Sequence, residues 1–188
     1  LDTLDLPDAA FGTFVNIAVD KMNRDVYSQA VEKKQDYTVL AADVTAGVVS
    51  IPDAWPDFNR VRLVNVNGGV ALSVLAINEM VDLQKAVTSG TPYAHCIAEN
   101  SLYIVPPVAE NDVISLRYDK KVESLSDTVD TNEFSSKHPD AMLCASMLAA
   151  EPYLAEDERV DTWATMYGAT IEKINMDAKQ SKLGSTPL

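Results

Sequence analysis

The side chains best suited to chemistry in this sequence are His95 and Cys96, a base and a nucleophile set next to each other. The run 93–98 that holds them reads as a strand. Neighbours on a strand point to opposite faces, so thiol and imidazole would not share a proton there. The second histidine, His138, stands before Pro139-Asp140 at an expected helix start, where an imidazole caps backbone groups or faces water. No His-x-x-x-His, Gly-x-Ser-x-Gly or Gly-x-x-x-x-Gly-Lys occurs. The one glycine pair, Gly68-Gly69, follows Asn65-Val66-Asn67 and precedes a strand-like run. It therefore reads as a hairpin turn, since a phosphate cradle needs a helix to follow at once. Glu156-Asp157-Glu158 lacks the alternating Asp/Asn/Gly register of a calcium loop and reads as the acidic first turn of a helix. These residues lead us to expect no catalytic residue, no bound cofactor and no metal.

The composition narrows the remaining classes. The chain has 188 residues, 47% apolar and 23% charged, which suits one domain, or one domain carrying a sub-module, with a buried core. With 15 Lys+Arg against 28 Asp+Glu the net charge is −13, which repels a phosphate backbone and disfavours tight wrapping of nucleic acid. The basic residues are scattered: Lys33-Lys34 and Lys120-Lys121 are pairs, and Arg60 and Arg62 alternate on an expected strand, all read as solvated strand edges. Cys96 and Cys144 sit in apolar settings without Cys-x-x-Cys spacing and read as buried thiols of a reducing compartment, not as a disulfide. No run approaches the ~20 apolar residues that span a bilayer and no signal-peptide pattern occurs, so neither membrane insertion nor secretion is expected. The chain opens with Leu1 and not Met, so native residues are expected upstream.

The elements that would position these residues follow from the hydrophobic period. From Asp8 to about Tyr27, the residues Phe11, Phe14, Val15, Ala18, Met22 and Val26 recur at spacings of three and four, an amphipathic helix with Pro7 at its start. Short β-prone runs then follow at 37–40, 47–51, 60–66, 70–75, 93–98, 102–105 and 113–118, with one short helix between Ile77 and Val87. Pro52-Asp53, Gly90-Thr91-Pro92, Glu99-Asn100 and Pro106-Pro107 punctuate them as turns. From Pro139 to about Leu154 a helix is apolar nearly all round. Met142, Leu143, Cys144, Met147 and Leu148 are expected to pack in the core or against another subunit. A last helix runs from about Ala155 to Ala178 with Trp163 and Tyr167 on its packing face.

The expected fold is α+β. A helical bundle is made of the N-terminal helix (1–30) and two C-terminal helices (138–179), with an antiparallel β-module (31–122) inserted and a loop at 123–137. The residues Gln180, Ser181, Lys182, Leu183, Gly184, Ser185, Thr186, Pro187 and Leu188 form an expected flexible polar tail.

This order of elements, with its local wording, resembles the head-to-tail adaptor (connector) proteins of tailed bacteriophages over most of the chain. The matching pieces include Ile51-Pro52-Asp53, Gly90-Thr91-Pro92-Tyr93, Leu102-Tyr103-Ile104-Val105 ending in Pro106-Pro107, and Leu116-Arg117-Tyr118. Further on come Leu125-Ser126, Asn132, Pro139-Asp140-Ala141, Ala149-Ala150-Glu151-Pro152-Tyr153-Leu154, and Trp163 with Tyr167. The resemblance implies a structural virion subunit, assembled in the host cytoplasm, that forms a homo-oligomeric ring of about twelve copies at the head-tail junction. Such a ring lies below the portal protein ring, joins it to tail or nozzle proteins, and lets DNA pass through its lumen without specific binding. Within that reading the tail from Gln180 to Leu188 is the expected portal-binding segment. The alternative is a stand-alone ligand- or protein-binding module with the β-part as its surface. An enzyme would need a deep pocket that gathers His95, Cys96 and several carboxylates.

Overall fold

The computed structural model describes residues 8–126, 128–154 and 157–184 of the chain. It divides into two units, Leu1–Val31 with Lys121–Leu188, and Glu32–Lys120.

The first unit is helical. α1 (Asp8–Asp25) buries Phe14, Ala18, Val19 and Met22, and Val26 just after it is buried too. Phe11 belongs to the same sequence stripe, yet it is 55% exposed. After a 3-10 turn (Gln29–Val31) the chain leaves for the second unit and returns at Lys121. The side chain of Asn23 brackets the return: its amide donates to the Val122 carbonyl at 3.0 Å, and its oxygen accepts from the Val122 N–H at 2.8 Å. The region 123–137, longer than a simple connection needs, contains a short helix, α5 (Glu133–Lys137). Asn132 caps it by accepting from the Ser135 N–H at 2.9 Å, while the Ser135 hydroxyl accepts from the Asn132 N–H at 2.9 Å, and Phe134 drops into the core.

α6 (Pro139–Leu154) packs against both α1 and α7 (Asp157–Gly184). That two-sided packing is why its sequence shows apolar residues nearly all round. Its core members Ala141, Met142, Cys144 and Ala145 share one cluster with Val19, Met22, Phe134, Tyr167 and Ile171. Near the end of α1, the Tyr167 hydroxyl donates to Asp25 at 2.9 Å, and Asn175 accepts from the Tyr27 N–H at 2.7 Å. The last helix passes its expected end at Ala178 and continues to Gly184, because Lys179, Gln180, Ser181, Lys182 and Leu183 all tolerate helix and the first breaker is Gly184. Residues 180–184 of the expected flexible tail are therefore helical, and 185–188 lie outside the described residues. With 28 residues, α7 is about 42 Å long.

The second unit stacks two sheets and a helix. One sheet has the order β1 (Glu32–Thr38), β7 (Val113–Lys120), β3 (Phe58–Val66), antiparallel throughout. The other has the order β2 (Val49–Ser50), β6 (Ser101–Val105), β5 (Ala94–Ala98), β4 (Ser73–Val74). Their facing sides share one core that includes Val64, Ile114, Leu116, Tyr118, Leu102 and Ile104, closed by Ile51 of α3 (Ile51–Ala54) and by Trp55 just after it. The far side of the second sheet is covered by α4 (Ile77–Ala86), through Met80 and Leu83 against Ala94, Cys96 and Val105. A further helix, α2 (Ala41–Ala46), starts where Asp43 accepts from the Leu40 N–H at 2.9 Å and ends at Gly47, whose φ of 72° is the left-handed conformation that favours glycine.

Two details depart from the sequence reading. β1 begins at Glu32, five residues before the expected Tyr37. Val66 to Gly69 is a tight turn, with positive φ at Asn67 (53°) and Gly68 (69°) and Gly69 N–H bonded to the Val66 carbonyl at 2.9 Å. It does not, however, join two strands of one ladder: β3 pairs with β7, and β4 crosses to the other sheet, where it runs parallel to β5 over two residues.

The position of Cys144 gives a direct test of the bundle. It is 4% exposed, and burial pushes its thiol pKa up. Cys144→Ala should cost about 1 kcal/mol, and Cys144→Asp about 3 kcal/mol or more, in urea unfolding followed by circular dichroism. Equal midpoints for the two variants would put this face of α6 in water.

Candidate functional site

The strand register settles the relation of His95 to Cys96. Cys96 pairs with Tyr103 and His95 with Ile104, so the two side chains lie on opposite faces of the second sheet. Cys96 packs beneath α4, where burial pushes its thiol up. His95 is 2% exposed; neither ring nitrogen has a hydrogen-bond partner of good geometry, and burial pushes its pKa down, only partly offset by the nearby backbone of Ser73 and Leu72. Burial therefore favours the uncharged ring, and its place on the other face of the sheet keeps it from the Cys96 thiol. His138 belongs to the helical unit and lies with its Nε2 3.2 Å from the Ser28 hydroxyl, its pKa lowered by burial and by Lys137. Glu156 lies outside the described residues. Among the described residues, no group of three or more His, Cys, Asp or Glu side chains is placed to hold a metal ion, and no helix is long and apolar enough to cross a membrane.

The expected packing residues divide by exposure. Met142, Cys144 and Tyr167 are in the core, Trp163 packs against it, Met147 and Leu148 are half-buried, and Leu143 is 58% exposed. Composition gave no hint of Glu151, which is 1% exposed and accepts the Trp163 indole N–H at 2.8 Å.

The polar groups that organise the second unit are also ones the sequence leaves unremarked. On the outer face of the β1-β7-β3 sheet, Asp119 is 1% exposed and takes a hydrogen bond from Arg62 Nε. Arg60 lies 4.0 Å from the same carboxylate, and Arg62 also reaches Glu32 at 3.6 Å. Both arginines reach this face because β3 carries irregularities between Phe58 and Arg60 and between Val61 and Leu63. An extra residue turns Arg62 to the side that strict alternation assigns to its neighbours. The solvated-edge reading of Arg60 and Arg62 is thus corrected: they neutralise a buried acid. On the inner face, Asp57 is held by Lys33 at 2.8 Å and by the Tyr118 hydroxyl. Burial alone would raise the Asp57 carboxyl, but the bonds from Lys33 and Tyr118 outweigh it and hold it below the usual carboxylate range. The Tyr37 hydroxyl is pushed up to about 12 by burial and by its bond to Asp43.

The surface feature that stands out is apolar. Val66, Gly69, Val70, Leu72, Pro92 and Tyr93 line part of a groove of about 620 Å³. Of its lining Val70 is 88% exposed and Tyr93 47%, and beside it Val74 is 72% exposed. The signal was present in the sequence as absence: no charged residue occurs from Leu63 to Asn78 or from Ala86 to Ala98.

Two substitutions test these environments. Asp119→Ala should cost about 3–5 kcal/mol, since it strands two guanidinium groups, whereas Ala at exposed Arg117 on the same strand should stay within about 0.5 kcal/mol. His95→Leu removes a buried group whose nitrogens are unsatisfied, so thermal unfolding should show an unchanged or higher midpoint. A clear loss there would mean that the ring makes bonds in solution.

Residues 1–187 match a family described as SU10 adaptor protein. Among curated proteins none matches the chain.

Proposed function

The chain belongs to the SU10 adaptor protein family, a phage head-to-tail adaptor class, and from that membership we propose that it is a structural subunit of a ring set below the portal. The match over 187 residues carries this reading, because it spans both units and not a single motif. In the proposed assembly about twelve copies join the portal to tail or nozzle proteins and surround a channel for DNA. A net charge of −13 per copy favours that use: acidic groups near a channel repel phosphates and give the passing genome nothing to hold. The absence of a shared-proton geometry at His95 and Cys96 supports a structural and not a catalytic role.

The portal contact is proposed at the end of the chain, Gln180 to Leu188. Lys179 and Lys182 lie in the last turns of α7, whose start is acidic, and the segment 180–188 holds only two large apolar residues, Leu183 and Leu188, too few to build a core of its own. Repetition around a ring multiplies a weak contact per copy through effective concentration. Removal of residues 180–188 should leave circular dichroism almost unchanged and abolish co-sedimentation with the portal protein of the same virus, while single substitutions there are tolerated. Undiminished binding by the shortened chain would move the contact elsewhere, with residues 124–137 the next region to test. Light scattering of the intact chain, alone and with the portal, tests the ring itself, and a mass that stays at one copy in both would reject it.

A further inference from the structure

We infer that the free edge of β4 and the uncharged surface around it bind a second copy of this chain, head to tail, and form the lateral joint of the ring. The inference rests on the ring reading above and adds which surface makes the joint.

The first observation is an unprotected edge. The Ser73 and Leu75 N–H groups bond to the Tyr93 and His95 carbonyls of the β5 side at 2.9 and 3.0 Å. By strand alternation the backbone groups of Val74 then face away from the sheet, and β4 is its last strand. Edge strands in soluble proteins are usually guarded by a lysine, a proline or an inward charge. Here the edge residue Val74 is 72% exposed, Val70 of the groove lining is 88% exposed, and the sixteen residues 63–78 contain no charge at all. An exposed edge that is both apolar and neutral is a site for pairing with another chain.

The second observation identifies that chain. Copies of −13 repel one another over most of their surface, so like copies approach most readily where charge is sparse. The neutral stretches 63–78 and 86–98 come together at this groove, joined by the β4–β5 pairing. The same sheet carries a different exposed apolar cluster at its opposite end. Next to β2, Leu40 is 56% and Val44 42% exposed, and Val44 borders a hollow with Val48, Pro107 and Asp43, whose carboxylate is taken up by the Tyr37 hydroxyl and the Leu40 N–H. Two unlike sticky ends on one sheet suit a heterologous contact, which closes into a ring where the rotation between successive copies closes and otherwise gives an open filament.

The test uses the full chain. Val70→Asp with Val74→Asp alters two exposed positions, so the melting curve should be unchanged. The concentration needed for half-assembly, read by light scattering with portal present and absent, should rise roughly tenfold or more. If the intact chain assembles and the double variant assembles equally well, the joint lies elsewhere and only this inference falls. If the intact chain shows a single-copy mass under both conditions, the ring reading falls and the inference with it. If the variant self-associates normally but loses co-sedimentation with a tail protein, the surface belongs to that protein and the inference is overturned. Cysteine placement reads the geometry, since Cys96 and Cys144 are buried and leave little background. Val74→Cys chains mixed with Val44→Cys chains should cross-link to each other through a short bis-maleimide. Cross-linking of Val74→Cys chains among themselves, with none in the mixture, would mean a two-fold contact and overturn the head-to-tail arrangement.

Discussion

A carboxylate sealed between strands must be neutralised where it lies, and Asp119 imposes that constraint on the whole β-unit. It sits on the central strand β7, which pairs with β1 on one side and β3 on the other. Ile114, Leu116 and Tyr118 of β7 face the shared core, while Ser115 and Asp119 face the other way and meet Asp36 and Arg62. A slip of one residue would carry Asp119 into the apolar layer and Tyr118 out of it, which no arrangement of neighbours could repair. The ion cluster therefore opposes a wrong register, whatever it adds to stability in the right one. The irregularities in β3 belong to the same device, because without the extra residue Arg62 would point away from the acid it satisfies.

Charge is also distributed unevenly between the units. Glu32–Lys120 holds 7 basic and 11 acidic residues, leaving 8 basic and 17 acidic for the helical unit. The less acidic unit is the one with the exposed uncharged groove, so the surface on which like copies could meet is carried where mutual repulsion is weaker. The more acidic helical unit is the better suited of the two to face a polyanion without retaining it. A single composition figure, −13, hides this division.

Much of the architecture was legible in the sequence because hydrophobic period reports burial directly. The change from a period near 3.6 to one near 2 and back marks the α+β arrangement, and the all-round apolar character of Pro139 to Leu154 marks a helix packed on two sides. What was missed has physical causes. The first five residues of β1, Glu32-Lys33-Lys34-Gln35-Asp36, are all polar, and the strand exists because pairing with β7 supplies its backbone bonds while Asp57, Tyr118 and Ser115 receive its side chains. Asn67-Gly68 announced its turn correctly, but local turn chemistry does not say which strand the chain will meet next. Pairing of Arg60 and Arg62 with Asp119, more than fifty residues away, lies beyond any local pattern. The exposed groove was visible only as missing charge, a signal that motif reading passes over.

The route of the chain explains how an inserted β-unit leaves the helices intact. Glu32 and Asp119 are register partners, so the first and nearly last residues of the insertion lie side by side. Immediately outside them, Val31 and Val122 fall in the same helical core cluster, and Asn23 holds Val122 by both its N–H and its carbonyl. Each unit thus closes on itself within a few residues of the crossing, one through Asp119 with Arg62 and the other through Val122 with Asn23. An insertion whose ends meet costs its host little loop entropy and folds on its own contacts. Because the two units have separate core clusters, a surface substitution on one need not disturb the packing inside the other.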